Sequence, residues 1–300
     1  MSERSAEASA SPPAAPRLAV GVIGMGRAGA PLSAALARAG HPIVGVHAVS
    51  ERSRARAEQY LPGAPLRSAA QVLADADLVL LTVPDDVLPT LVAGLAETEA
   101  ITPGQFLVHA SGRFGTAVLE PATRLGALPM ALHPVMTFTG SRVDIDRLAG
   151  CPFAVTAPMV LRPVAEALVV EMGGDPMWIA EEARPLYHAA LASGANHLVT
   201  LVAQTLDLLA HAGVADPAGL VRPLLSAALD NVLAMGDEAL TGPVARGDAG
   251  TVAAHLEVLS RAAPEARAAY IAMARLTADR ALAAGRLDPE RAESLLDVLG

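Results

Sequence analysis

Three glycines, Gly24, Gly26 and Gly29 in the run GMGRAG, constrain this chain more than any other feature. They lie between an apolar run at 18–23 and an amphipathic segment that ends at Gly40. Strand, tight turn and helix in that order open a βαβ unit, with PIVGVHAV at 42–49 as its second strand. In a G-x-G-x-x-G turn the first glycine permits the bend, the second lets a pyrophosphate approach the backbone, and the third lets helix and strand pack closely. The helix start then offers free N–H groups and partial positive charge to phosphate. Gly24, Met25, Gly26, Arg27, Ala28 and Gly29 are therefore expected to hold a dinucleotide, with a purely structural turn as the alternative.

The alternation continues beyond this unit. A helix is expected at 51–60, a short strand at 65–67, the apolar strand DLVLLTVP at 77–84, a helix through Leu95, FLVHASG at 106–112, a helix at 115–125 and ALPMALHP at 127–134. Apolar strands that lack polar alternation belong in a parallel sheet covered on both faces. PFAVTA at 152–157 and PMWIA at 176–180 flank a helix and are expected to extend that sheet. From Glu181 onward the pattern is helical only, at 184–213, 217–236, 248–260, 264–284 and 288–298. The predicted fold is α/β, a doubly wound and mainly parallel sheet followed by an all-α domain. Its parts are a disordered Ser/Ala/Pro tail at 1–16, a nucleotide-binding domain at 17–180 and a helical substrate and dimerisation domain at 181–300.

The tip of the second strand bears on the choice of dinucleotide. NAD sites place Asp or Glu there for the ribose hydroxyls, whereas NADP sites place small polar and arginine side chains around a 2′-phosphate. Here the tip reads AVSERSR, so Ser50, Arg52 and Ser53, helped by Arg27, favour NADP over NAD, with Glu51 as the counterargument. Arg56 is expected to lie on an ordinary exposed helix face. Val83 and Pro84 at the end of the 77–84 strand should pass beside the cofactor, with Asp85 and Asp86 capping the next helix.

Net charge −9 argues against a nucleic-acid partner. The single cysteine, Cys151, excludes an intramolecular disulfide and is expected to be buried and inert, and no Cys/His spacing points to a metal. No apolar run approaches 18 unbroken residues, so neither a spanning helix nor a membrane partner is expected, and the chain reads as cytoplasmic. All 22 Lys+Arg residues are arginine, which removes lysine chemistry from the candidates.

VGVIGMGRAGAPL, ADLVLLTVPDD, HASGRFG, ALHPVMTF, YHAALASGANHLVTL and LTGPVARGD together resemble a family of two-domain Rossmann-like oxidoreductases. The helical half of that family is a domain of unknown function, number 2520. The likeness covers residues 17–298. More distantly the chain resembles deazaflavin-dependent NADP oxidoreductases, ketopantoate reductases, pyrroline-5-carboxylate reductases and β-hydroxyacid dehydrogenases. The resemblance implies hydride transfer between NADP(H) and a small carbonyl or imine, in a cleft between the domains. A 2-oxo acid of the ketopantoate type is the first substrate it points to, and a homodimer through the helical half is the implied assembly. A non-catalytic NADP-binding sensor or scaffold is the rival from another class. β-Hydroxyacid dehydrogenases keep Lys four residues before Asn on the long helix; with Asn196 as that Asn, the lysine position holds Ala192.

Counted at about 100° per residue, Ser193, Asn196, Thr200, Gln204, Asp207 and His211 form one polar stripe on the long helix. Asn196 is the expected hydrogen-bond donor to substrate, with Ser193 and Thr200 beside it. Histidine is the natural proton source when lysine is missing. His109 and His133 end parallel strands, and His188 precedes Asn196 by two turns; packing or backbone bonding is the alternative for each. Tyr187, nearly opposite Asn196 on the wheel, is the weaker candidate. Ser111 and Gly112 in HASG are expected near the nicotinamide ribose, with His109 also facing the cofactor; a helix cap is the alternative for Ser111. Arg246 is the expected partner of a substrate carboxylate, against a surface pair with Asp248.

Overall fold

A computed structural model describes residues 17–98 and 100–300, so the expected tail at 1–16 lies outside the described residues. β1 (Val20–Ile23) leads through the glycine turn into α1 (Gly29–Arg38) and β2 (Ile43–His47). Then come α2 (Glu51–Tyr60), α3 (Ala69–Asp75), β3 (Leu78–Leu81), α4 (Leu88–Glu97) and β4 (Phe106–His109). α5 (Glu120–Thr123), β5 (Leu128–Pro134), α6 (Val143–Asp146), β6 (Pro152–Thr156), α7 (Arg162–Glu171) and β7 (Asp175–Trp178) follow. The strands form one sheet in the order β2-β1-β3-β4-β5-β6-β7. β1 and β3 are buried at every position, as sheet strands covered on both faces require.

The expected strand at 65–67 is reduced to a single parallel bridge, Val46 to Leu66, outside β2. It completes the outer side of a doubly wound sheet whose order reverses at β1, so the glycine turn opens at the switch point where such sheets bind ligands. β6 and β7 extend the sheet as expected, but β6 runs antiparallel to β5. The expected helix at 115–125 is broken, with a 3-10 turn at Thr116–Leu119 before α5. α3 is not among the expected helices, although the Ser68/Gln71 capping box that starts it is written in the sequence.

The chain divides into two compact units between Leu191 and Ala192, later than the change of pattern near 180. α8 (Arg184–Leu191) belongs with the sheet because its first residue, Arg184, is 0% exposed and bonded to it. The second unit begins with a π-helical turn (Ala192–Asn196), followed by α9 (His197–His211), α10 (Pro217–Met235), α11 (Gly242–Ala245), α12 (Ala249–Ala262), α13 (Pro264–Ala283) and α14 (Pro289–Leu299). Its core is a cluster on α11 to α14 that includes Ala245, Val252, Leu256, Ala278 and Leu295. α9 buries no residue, and α10 buries Val221 alone.

Among the described residues, one helical stretch, Pro217–Ala245, is long and apolar enough to cross a membrane by length and composition, and little of it is buried. This departs from the expectation that no such segment exists. Arg222 and Asp230 break the run without making the stretch polar.

Candidate functional site

The glycine turn is built against the end of β3. Gly24 has φ +102°, and the Thr82 hydroxyl donates to its carbonyl at 2.6 Å. A Cβ on Gly24 would stand 2.7 Å from the Thr82 carbonyl oxygen, so both conformation and space demand glycine. Gly29 is closed in the same way by Thr82 and by the Gly24 carbonyl. Gly26 differs, because the nearest atom to a Cβ there is 3.8 Å away and the space beside its backbone is open. α1 also starts without a side-chain cap at Ala28, as do α4, α5, α6, α7, α11 and α13, so the open backbone at Gly26 is what sets it apart. An open backbone beside an uncapped helix start fits a pyrophosphate. Met25 is buried, and Val83 lies against Gly24.

Three arginines belong to this end of the sheet. Arg27 lies within the turn, with its side chain against Gly140. Arg56 does not lie on an idle face: its Nη1 donates to the Met25 carbonyl at 3.5 Å, and its Nη2 is also near Gly140. Arg52 is exposed. Ser50 and Ser53 are occupied with each other as the cap of α2, since the Ser50 hydroxyl accepts from the Ser53 N–H at 3.1 Å and the Ser53 hydroxyl donates to the Ser50 carbonyl. Asp85 and Asp86 do not cap α4, whose start at Val87 has no side-chain bond.

A second cluster forms where β4, β5 and α8 meet. His109 is fully buried; its Nδ1 accepts from the Ser111 N–H at 3.2 Å, and its Nε2 donates to the Gly115 carbonyl at 2.8 Å. Burial pushes its pKa down to about 4. The expectation that His109 meets the cofactor or supplies a proton is corrected, since backbone takes both ring nitrogens. The Ser111 hydroxyl accepts from the Arg113 and Phe114 N–H groups, so its lone pairs serve the loop; it caps no helix, since the next helical turn starts from Gly115 without a side-chain cap. Gly112 is packed rather than open: a Cβ there would meet His188 at 2.8 Å and His133 at 2.9 Å.

His133 Nδ1 is bonded to the Tyr187 hydroxyl at 2.7 Å, and the His133 and His188 rings meet edge to face at 6.4 Å. Burial, and then the positive charge of Arg184, pushes His133 down to about 4. Arg184 lies behind the pair. It donates to the Thr156 hydroxyl and to the carbonyls of Ser111, Ala131 and Ala154 at 2.8–3.2 Å, and it forms no ion pair among the described residues. Glu181 anchors the adjoining turn by accepting from the Thr116 and Ala117 N–H groups.

The sequence alone makes Tyr187 a weaker candidate than the histidines, puts Arg56 on an idle face and does not single out Arg184. One signal was available: an arginine at a helix start opposes the helix dipole and marks a charge held there by something else. In the second unit, Ser193, Asn196 and Thr200 are exposed, with Ser193 and Asn196 inside the π turn. Counting at α-helical pitch fails across that turn, so the polar stripe is not continuous as drawn on the wheel. Arg246 is exposed and unpaired among the described residues; Asp248 instead caps α12 through Thr251.

Residues 4–134 match the model of a Rossmann-like domain, and residues 151–277 match a domain of unknown function, DUF2520. The two matches lie side by side, and each covers less than half of the chain. The DUF2520 match begins with β6, so it includes the last two strands of the sheet as well as helices of the second unit. No curated protein matches the chain. A candidate NADP oxidoreductase from Bacteroides fragilis is similar in structure at 23% identity and TM-score 0.72, over 88% of this chain and 98% of that one. An imine reductase from Pseudomonas sp. is similar at 21% identity and TM-score 0.64, over 95% and 100%. A pyrroline carboxylate reductase from Plasmodium falciparum with NADP bound follows at 12% identity and TM-score 0.56, over 93% and 97%. At these identities the likeness is one of fold.

Proposed function

We propose that this Rossmann-like/DUF2520 chain is an NADP-dependent oxidoreductase that reduces a small carbonyl compound, with a 2-oxo acid of the ketopantoate type as the first substrate to try. The observation that carries the reading is the open, uncapped start of α1 behind Gly24 and Gly26, with Arg27 and Arg56 at its rim. Arginine forks suit phosphate, and two of them at the turn favour the more highly phosphorylated cofactor. Gly24, Gly26, Ala28 and Gly29 would hold the pyrophosphate, and Arg27, Arg52 and Arg56 the 2′-phosphate. The bound nicotinamide would supply the hydride. A cyclic or open imine is the second substrate class, favoured by the likeness to an imine reductase along that enzyme's full length. Asn196, His188 and Arg246 remain proposed substrate contacts.

A homodimer is also proposed. Leu198, Val199, Leu220, Leu224 and Leu233 on α9 and α10 are 42–78% exposed, an apolar surface that a second copy would cover. The cofactor reading is tested by thermal shift. NADPH should raise the melting temperature more than NADH, and Arg52→Ala or Arg56→Ala should narrow that gap; equal shifts in the unsubstituted protein would overturn it.

A further inference from the structure

The second cluster has three groups that the cofactor site does not use. His133 has one ring nitrogen tied and one free: Nδ1 meets the Tyr187 hydroxyl at 2.7 Å, and Nε2 has no hydrogen-bond partner among the described residues. The direction of that bond decides which donor of the pair is left free. If Nδ1 carried the proton, it would donate to the tyrosine oxygen and leave the phenolic proton with no acceptor among the described residues. If the tyrosine donates, the phenolic proton is paired and the imidazole proton sits on Nε2, the one donor left over for another partner. The groups facing His133 are Tyr187, His188 and Arg184 on α8 and His109 on β4. None is an acid that would favour an imidazolium.

We propose that Tyr187, His133 and Arg184 form a proton relay that takes the place of the absent lysine, with His133 Nε2–H as the group that meets the substrate. The inference rests on the oxidoreductase reading for its hydride. As the substrate carbon accepts hydride, its oxygen takes the Nε2 proton and becomes a hydroxyl. The Tyr187 O–H bond breaks, and its proton passes to Nδ1, so the ring stays neutral throughout. The charge left behind is a tyrosinate, which burial opposes by pushing the Tyr187 hydroxyl up to about 12, so it takes a proton back from water at once. Arg184, with its guanidinium carbon 5.9 Å from the Tyr187 ring centre, is the permanent positive charge that steadies it. No step forms an imidazolium, which burial and Arg184 both oppose. Gly112 belongs to the same device, because any Cβ there would push His133 and His188 apart.

The test uses the full chain with ¹⁵N-labelled histidine. In the unsubstituted protein at pH 7, His133 should show the neutral Nε2–H tautomer, and Tyr187→Phe should abolish that bias while leaving the NADPH thermal shift intact. On a substrate found by NADPH oxidation, Tyr187→Phe should lower kcat about a hundredfold, with its alkaline limb displaced and KM for NADPH unchanged. An Nδ1–H tautomer in the unsubstituted protein, or a tautomer unmoved by Tyr187→Phe, would overturn the relay even where NADPH binds. Absence of an NADPH shift in the unsubstituted protein would instead overturn the cofactor reading and leave the tautomer result standing.

Discussion

At the scale of single residues, the three glycines of the turn separate by what surrounds them. Gly24→Ala should destabilise the fold, because a positive φ costs a non-glycine residue about 1–3 kcal/mol before the contact with Thr82 is counted. Gly26→Ala has room and should leave the melting temperature within about 2 °C, a shift well under 1 kcal/mol. It should still weaken NADPH binding at least about tenfold, since its methyl group would stand where the pyrophosphate approaches. Isothermal titration alongside thermal melts distinguishes the two substitutions. The glycine roles were legible from spacing alone. The histidine roles were not: His109, His133 and His188 look alike in sequence, and only the backbone around His109 and the phenol beside His133 tell them apart.

Helices show a different balance. α1 is placed where its pattern puts it but is buried from Gly29 to Leu36 rather than on one face, and its missing cap is visible in the sequence as Ala28 where Ser, Thr, Asp or Asn would stand. The long segment from Arg184 was read as one helix with one polar face, and the π turn at Ala192–Asn196 breaks that count. π turns have no composition of their own, so helical periodicity runs through them unnoticed. α10 reads as an ordinary amphipathic helix, yet nearly all of it is uncovered. Light scattering should give about twice the chain mass of 30.6 kDa, and Leu224→Glu with Leu233→Glu should return the monomer. A monomer in the unsubstituted protein would sink the dimer proposal.

For the whole molecule, the two depressed histidines tie stability to pH. His109 and His133 sit near pKa 4, against an ordinary value of 6.5, so the unfolded chain binds protons that the folded one refuses. Stability is therefore full above pH 6.5 and falls as pH drops toward 4, by about 3 kcal/mol for each group across that window. Urea midpoints at pH 7 and pH 5 should show the loss, and His109→Gln should reduce it if the variant folds. The sequence by itself determined the βαβ alternation, the nucleotide turn and the change to helices near residue 180, because each is written in local periodicity and in residue types with unusual backbone preferences. The tertiary structure decided that β6 runs backwards, that Arg184 is a buried cation held by carbonyls from three segments, and that Tyr187 meets His133. The last two depend on residues 28 to 73 positions apart in the chain coming together, and no local pattern records which distant carbonyl or ring will close a hydrogen bond.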